Sequence, residues 1–100
     1  MAEHLLSKGY IRAAGSVAGV VLEAYLKNIA IQKGETINKV ETISTYNSKL
    51  KKHIGDILWG RVDAAARIRN CCDHPKDTEP SKNDVSHLIS ETKQLLVEIK

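Results

Sequence analysis

The amino-acid sequence predicts an all-α fold, an up-and-down bundle of four to five helices. Apolar residues recur at spacings of three and four along most of the chain, which is the period of a helix with one buried face. No stretch shows the alternation of a half-buried strand. The chain has no Phe, one Trp and three Tyr, so its core must be built from small and branched aliphatic residues that suit close helix packing. Its 100 residues are expected to form one domain, alone or within a longer protein.

The longest helical pattern covers Tyr10–Gln32 and follows a short helical segment at Ala2–Lys8. The apolar positions predicted to share one face are Ala14, Val17, Ala18, Val21, Leu22, Tyr25 and Ile29. Gly15 and Gly19 lie beside that face, although each Gly costs about 1 kcal/mol relative to Ala inside a helix. We therefore expect another helix to approach closely there, and Gly34 to end the helix.

The next helix is predicted to begin near Thr36 or Asn38, either of which can serve as its N-cap. Its apolar stripe is Val40, Ile43, Tyr46 or Asn47, and Leu50. Lysines and a histidine follow at residues 49–53, where positive charge suits the end of a helix. We interpret them as a solvated cluster, with a phosphate-contacting patch as the alternative.

Gly55 and Asp56 separate that helix from another over Ile57–Asp73, with Asp56 as a cap. The inward side chains of this helix are predicted to be Leu58, Val62, Ala65, Ala66 and Cys72. It also carries three arginines, at positions 61, 67 and 69, which do not all fit on its solvent face. At least one of them therefore needs an acidic partner.

Pro75 ends this helix, and residues 76–83 have the composition of an exposed loop. A last helix is predicted to begin at Asn83 or Asp84 and to run to Glu98. Its apolar stripe is Val85, Leu88, Ile89, Leu95, Leu96 and Ile99.

Charge and cysteine content indicate a cytoplasmic protein. The net charge of +3 permits an RNA or phosphate partner, and equally fits a soluble protein with a small excess of lysine. Cys71 and Cys72 are neighbours that cannot easily form a disulfide with each other, which favours a reduced compartment. The most apolar run, Ala13–Leu22, is shorter than the roughly 20 residues of a membrane span. We expect no signal peptide and no membrane partner.

The stretch Arg67–Pro75 carries the residues most suited to chemistry. Arg69 and His74 are five residues apart, and Pro75 pushes the residue before it out of helical geometry, so the histidine can turn back toward the arginine. A permanent cation and an imidazole that titrates near neutral pH suit the binding or cleavage of a phosphodiester. Asn70 can position a phosphate or the imidazole. The alternative interpretation is a helix end decorated with cations, followed by a loop histidine.

Three further residues are assigned supporting roles or weighed as ligands. Glu23 lies among apolar residues, so it is either a solvated charge at the edge of its helix or the partner of an arginine in the focal stretch. Arg67 is a supporting charge, and Asp73 can orient the histidine. Two adjacent cysteines followed by a histidine lack the usual gap between zinc thiolates, so we expect neither a metal nor another cofactor.

The run Arg69-Asn70-Cys71-Cys72-Asp73-His74 resembles the Arg-x4-His motif of the HEPN superfamily (higher eukaryotes and prokaryotes nucleotide-binding domain). Gly9–Lys27 is also similar to the long first helix of its prokaryotic members. The last helix, which follows a polar loop, resembles the closing helix of the superfamily. The resemblance covers nearly the whole chain. It implies a homodimer of helical bundles in which the Arg and His of both subunits line one cleft.

Many HEPN members are metal-independent endoribonucleases, in which the RNA 2′-OH attacks the adjacent phosphate. By this resemblance His74 would be the general acid or base, Arg69 would stabilise the phosphate, Asn70 would position it and Glu23 would hold the arginine. Gly15, Gly19 and the third helix are the expected dimer face. The resemblance also implies RNA as substrate, and a toxin, defence or RNA-processing role with an antitoxin or other protein partner.

One position departs from a pattern found in part of the superfamily. Some members carry a Tyr two residues after the motif histidine, which an antitoxin modifies, and here that position is Lys76. That mode of regulation is therefore not expected. Other members are non-catalytic modules for dimerisation or for binding RNA or nucleotides, and this is the alternative function.

Overall fold

The computed structural model describes residues 1–37, 42–73 and 80–100, and four helices account for most of them. The helices are α1 (Ala2–Ser7), α2 (Ile11–Gln32), α3 (Ile43–Asp73) and α4 (Lys82–Glu98). The described part of the chain contains no strand. The all-α prediction is therefore confirmed, and the number of helices agrees with it.

The central element is α2, which packs against each of the other three helices. Its buried residues are Ala14, Gly15, Ala18, Gly19, Leu22, Leu26, Ile29 and Ala30. Val21 was predicted to face inward, but its side chain is 45% exposed, and Val17 is only half-buried. The prediction failed because α3 packs along the glycines, which turns the buried face of α2 toward them.

The helix α3 is a hairpin of two helical segments that meet at Gly55. The backbone there has φ 84° and ψ 169°, a conformation that side chains with a Cβ rarely adopt. Asn47 Nδ2 donates to the carbonyl oxygen of Trp59 at 3.0 Å, although twelve residues of straight helix would span about 18 Å. The chain must therefore reverse at Gly55, as the predicted break required.

Both long C-terminal helices begin at a hydroxyl cap. Thr42 Oγ1 accepts from the backbone N–H of Thr45 at 3.3 Å, so the cap of α3 is Thr42 and not Thr36; Asn38 lies outside the described residues. At α4, Ser81 Oγ accepts from the backbone N–H of Asp84 at 3.0 Å, and the two residues form a capping box. The predicted start of α4 was therefore late by one or two residues.

The cations near the turn of α3 are tied to the connection that leaves α2. Glu35 lies 3.1 Å from His53 Nε2 and 3.1 Å from Lys52 Nζ, and these hydrogen bonds, with His53 the larger cause, hold the pKa of Glu35 below its ordinary value. Lys49 donates to the carbonyl oxygen of Thr36. Lys52 and His53 are exposed, as the predicted solvated cluster requires, and these two residues and Lys49 also have partners on the connection.

By length and composition α2 could cross a membrane. Its most apolar window has a mean hydropathy of 1.3, and 44% of that window is buried within the bundle. A core helix packed on several sides has the same composition, because apolar residues are needed on more than one face. The expected cytoplasmic location therefore stays a prediction.

Candidate functional site

Arg69 lies across α2, with its aliphatic stem on Gly19. A Cβ added to Gly19 would lie 2.1 Å from Arg69 Cγ, so the stem occupies the volume that any other residue would need. One helical turn further along α2, Glu23 Oε2 lies 3.2 Å from Arg69 Nη2. The missing side chain of Gly19 therefore leaves room for the stem of Arg69, and Glu23 holds its guanidinium.

The pair is largely covered, with 19% of the Arg69 side chain and 30% of the Glu23 side chain exposed. Burial of either charge without the other would be unfavourable, so the ion pair is the arrangement that permits it. The prediction that Glu23 pairs with an arginine of the focal stretch is confirmed.

Gly15 makes a second close contact, one turn before Gly19. A Cβ there would lie 2.1 Å from Cys72 Sγ, and Cys72 is buried as predicted. The two glycines do permit a close helix approach, but the helix that approaches is α3 of the same chain. The expectation that the Gly15 and Gly19 face joins two subunits is therefore wrong, since that surface is already occupied.

Arg12 is the residue that sequence reasoning missed. Its Nη1 donates to the carbonyl oxygens of Cys71 at 2.6 Å and Cys72 at 3.3 Å. These carbonyls belong to the last turn of α3, where the backbone lacks helical partners and a positive charge is favourable. Arg12 thus anchors the end of α3 immediately before residue 74.

Arg12, Gly15, Gly19 and Glu23 form one stripe along α2, at spacings of three and four. The stripe runs antiparallel to the end of α3, because Arg12 meets residues 71 and 72 while Glu23 meets residue 69. Extending the glycine spacing by one turn in each direction along the sequence would have identified both charged ends. That extension is the signal by which Arg12 could have been found.

Asn70 and Arg67, two other predicted site residues, are not part of this contact. The Asn70 side chain is exposed. Arg67 is 81% exposed and pairs with Asp63 at 3.0 Å, one turn before it on α3, so it points away from Glu23. Asp73 is the last residue of α3, and His74 lies outside the described residues, as does Lys76.

Arg61 forms the second arginine cluster of α3, against α4. Its guanidinium pairs with Glu91 and lies 2.7 Å from Glu98 Oε2. These carboxylates raise the pKa of Arg61 further, and Arg61 holds the pKa of Glu98 below its ordinary value through the hydrogen bond between them. The prediction that at least one arginine of α3 needs an acidic partner is confirmed for this residue and for Arg69.

Among residues 1–37, 42–73 and 80–100, no three His, Cys, Asp or Glu side chains cluster as metal ligands would. No known protein family, curated protein or solved structure matches the chain. The resemblance to the HEPN superfamily therefore rests on the residues of the motif and of the long helix.

Proposed function

We propose that this chain is a metal-independent endoribonuclease of HEPN type. The observation that carries the proposal is the Glu23–Arg69 pair, in which Glu23 of α2 lies 3.2 Å from Arg69 near the end of α3. It holds a largely covered guanidinium in a fixed place five residues before His74. A site that stabilises a charged phosphate needs a cation that is already positioned, because positioning it during the reaction would raise the barrier.

In the proposed reaction the RNA 2′-oxygen attacks the adjacent phosphorus and the bond from phosphorus to the 5′-oxygen breaks. His74 takes the proton from the 2′-OH or supplies one to the departing 5′-oxygen. Arg69 stabilises the negative charge on the phosphate oxygens; a guanidinium has five N–H donors, so one carboxylate does not exhaust it. Asn70, exposed one residue further along α3, positions the phosphate.

Glu23 and Arg12 act as positioning residues in this proposal. Glu23 holds the guanidinium of Arg69, and Arg12 holds the carbonyl oxygens of residues 71 and 72 at 2.6 and 3.3 Å. The helix end that leads into residue 74 is thereby fixed from α2. Arg67 is left out of the mechanism, because it faces solvent and pairs with Asp63.

The proposal includes a homodimer, RNA as substrate and a cytoplasmic location. It also includes a role as a toxin, defence factor or RNA-processing protein with an antitoxin or other protein partner. Modification of a tyrosine after the histidine is not part of it, since residue 76 is a lysine.

The alternative is a non-catalytic HEPN-like module for dimerisation or for binding RNA or nucleotides. The observation that favours it is the low exposure of the Arg69 side chain, 19%, beside a carboxylate. A pair of this kind can have a purely structural role, which is to join α2 to α3. The two functions differ in whether the protein breaks phosphodiester bonds.

The deciding experiment incubates the purified protein with end-labelled RNA in EDTA. We expect cleavage that leaves 2′,3′-cyclic phosphate ends, and no cleavage of the same sequence with 2′-deoxy nucleotides, because the 2′-OH is the nucleophile. Arg69→Ala and His74→Ala should each lower the rate at least about 100-fold. Glu23→Gln should lower it less, since the guanidinium remains but is held less firmly.

The matched control is Lys33→Ala, which removes one cation as Arg69→Ala does, but from an exposed position. Residue 33 lies about 20 Å along α2 from Gly19, so this variant should cleave as the wild type does. Circular dichroism and thermal unfolding would verify that each variant is folded. An inert wild type, or equal rates in wild type, Arg69→Ala and His74→Ala, would leave the non-catalytic function in its place.

A further inference from the structure

A small apolar groove of about 190 Å³ lies between α1, α2 and α4. It is on the opposite side of α2 from Gly19 and the Glu23–Arg69 pair. Most of its lining is apolar and consists of Met1, Ala2, Val17, Ala18, Val21, Ile89 and Leu96. Three polar residues complete the lining, and they are Glu3, Thr92 and Lys93. An apolar cavity into which a few polar groups converge is the usual form of a site for a small molecule.

Thr92 is a buried polar residue of this groove. It is only 4% exposed, and its hydroxyl oxygen has no hydrogen-bond partner within residues 1–37, 42–73 and 80–100. A buried hydroxyl without a partner is unfavourable, and the large majority of buried polar groups in folded proteins are paired. Because Thr92 lines the groove, a polar atom of a bound molecule would supply the partner that this hydroxyl lacks.

The second polar feature is an ion pair between α1 and α4 at the rim of the groove. Lys93 Nζ lies 2.5 Å from Glu3 Oε1, and this hydrogen bond holds the pKa of Glu3 below its ordinary value. Both side chains are more than half exposed, Lys93 at 61% and Glu3 at 66%, and exposed ion pairs contribute little to stability. Lys93 thus already binds a carboxylate at the rim, and a carboxylate of another molecule can replace Glu3 with little loss.

The groove adjoins a larger and more polar cleft of about 440 Å³ between α1 and α4. The two cavities share Glu3, Ile89 and Lys93. The polar residues that line the cleft alone are Ser7, Lys82, Ser86 and Ser90. The cavities therefore differ in chemistry and meet at Lys93. A molecule that fits both has an apolar body and an anionic head.

We propose that the groove binds a free medium-chain carboxylic acid, with its carboxylate at Lys93 and Thr92 and its chain between α1, α2 and α4. A methylene group is similar in size to a water molecule, whose share of liquid volume is about 30 Å³, so the groove holds about six of them and fits an acid of about eight carbons. The chains of membrane phospholipids, which each cross half of a core about 30 Å thick, are too long for it. This site does not depend on the proposed cleavage of RNA.

In the bound state the carboxylate of the acid accepts hydrogen bonds from the ammonium of Lys93 and the hydroxyl of Thr92. Hydrogen bonds to a charged group are stronger than those between neutral groups. Glu3 is released from Lys93 into solvent, which removes an ion pair that joins α1 to α4. The chain is covered mainly by Val17, Val21 and Leu96.

The first test is an NMR titration of the nitrogen-15-labelled protein with octanoate. We expect saturable shifts of the amide signals of residues 17–21 and 92–96. From butyrate to octanoate the affinity should rise about fourfold with each methylene, because each is removed from water, and dodecanoate should add little because the groove is full. Octylamine has the same chain with a positive head and should not bind. Equal binding of octylamine, or an affinity that keeps rising to dodecanoate, would overturn the proposal.

The second test measures octanoate affinity in variants of the polar residues. Lys93→Gln and Thr92→Val should each weaken binding about tenfold, because each removes a hydrogen bond to a charged group. Glu3→Gln should tighten binding, because it removes the carboxylate that competes for Lys93. The matched control is Lys33→Gln, which removes one exposed cation far along α2 from the groove and should bind octanoate as the wild type does.

Thr92→Val also separates a role in binding from a role in folding. Valine has nearly the same shape as threonine and no hydroxyl to leave without a partner, so this variant should keep or raise the thermal unfolding midpoint while it loses affinity. A lowered midpoint with unchanged affinity would mean that the hydroxyl serves the fold, and would remove Thr92 from the site.

The remaining outcomes also decide the matter. Octanoate that leaves the amide signals unchanged would overturn the proposal. Shifts centred on Val20 and Ile31, which are 60% and 54% exposed, would overturn it too, because they would indicate adsorption to exposed apolar surface and not entry into the groove. Binding to phosphatidylcholine vesicles without binding of octanoate would make this surface a membrane contact and exclude the free acid.

Discussion

The two faces of α2 show that the buried residues of a helix are not always its larger apolar ones. The inner face carries Gly15 and Gly19, which are covered by Cys72 and by the stem of Arg69. The side of α2 that faces away from the bundle, its outer face, carries Val20 and its apolar neighbours in solvent. The glycines are buried because α3 must come close enough for an arginine to lie flat on the helix. The valines are exposed because nothing in the described part of the chain covers them.

Where α2 meets the end of α3, burial is thus decided by the distance between the helices, although larger α2 residues such as Leu22 and Leu26 are buried as well. A face of small residues favours a partner that approaches closely and brings its own side chains. A face of branched residues favours a partner at ordinary distance. The inner face is thus specific for α3.

The largest loss of stability is expected when the inner face of α2 is given a large side chain. Gly19→Leu would force Arg69 away from Glu23, because the first added carbon already lies 2.1 Å from Arg69 Cγ. We expect a loss of about 3 kcal/mol in the free energy of unfolding, measured with urea. Gly60→Ala is the control, since a Cβ there meets nothing within 4 Å, and it should stabilise by about 1 kcal/mol. Equal effects of the two variants would contradict the close contact.

A smaller effect is expected at the end of the inner face. Arg12→Ala removes the donor to the carbonyl oxygens of Cys71 and Cys72, at 2.6 and 3.3 Å. We expect a loss of about 2 kcal/mol in unfolding free energy, because bonds from a charged donor to a helix end are among the stronger ones. Hydrogen exchange at the amides of the last turn of α3 should rise. Unchanged exchange there would mean that Arg12 does not hold this turn.

The smallest effect is expected where α3 meets α4. The pKa of Glu98 is lowered by its hydrogen bond to Arg61, so its contribution to stability is complete above its ordinary pKa of about 4.3 and is lost as the pH falls through the lowered value. Glu98→Gln should therefore lose less stability than the wild type between neutral pH and about pH 3. The urea unfolding midpoints of the wild type and of Glu98→Gln at the two pH values measure this. An equal fall of the midpoint in both proteins would contradict the prediction.

The sequence was sufficient for most of the fold. In α4 the apolar stripe is narrow and the opposite side is charged, so Val85, Leu88, Ile89, Leu95 and Ile99 were predicted as core and are buried. The break at Gly55 followed from its position between two helical patterns. In α2, apolar residues lie on several sides, so periodicity alone could not choose the buried one. The inward assignment of Val21 failed for that reason.

The candidate site was predicted in part. The Glu23–Arg69 pair followed from an acid among apolar residues and a surplus of arginines on α3. The contact of Arg12 with the end of α3 could not be predicted in this way, because its partners are separated from Arg12 by 59 and 60 positions in the chain. Nothing local to Arg12 indicates where the end of α3 lies. Such contacts are fixed by how two helices cross, which the antiparallel stripe of α2 shows and the sequence pattern does not.

The reversal at Gly55 also has a consequence for the order in which the chain acquires its structure. Asn47 and Trp59 are only twelve positions apart, so their contact closes a short loop, and short loops close early in folding. The contact between α2 and the end of α3 spans about five times that distance along the chain and must wait for slower loop closure. The α3 hairpin is therefore expected to form first. The glycine face of α2 is expected to pack against the hairpin afterwards.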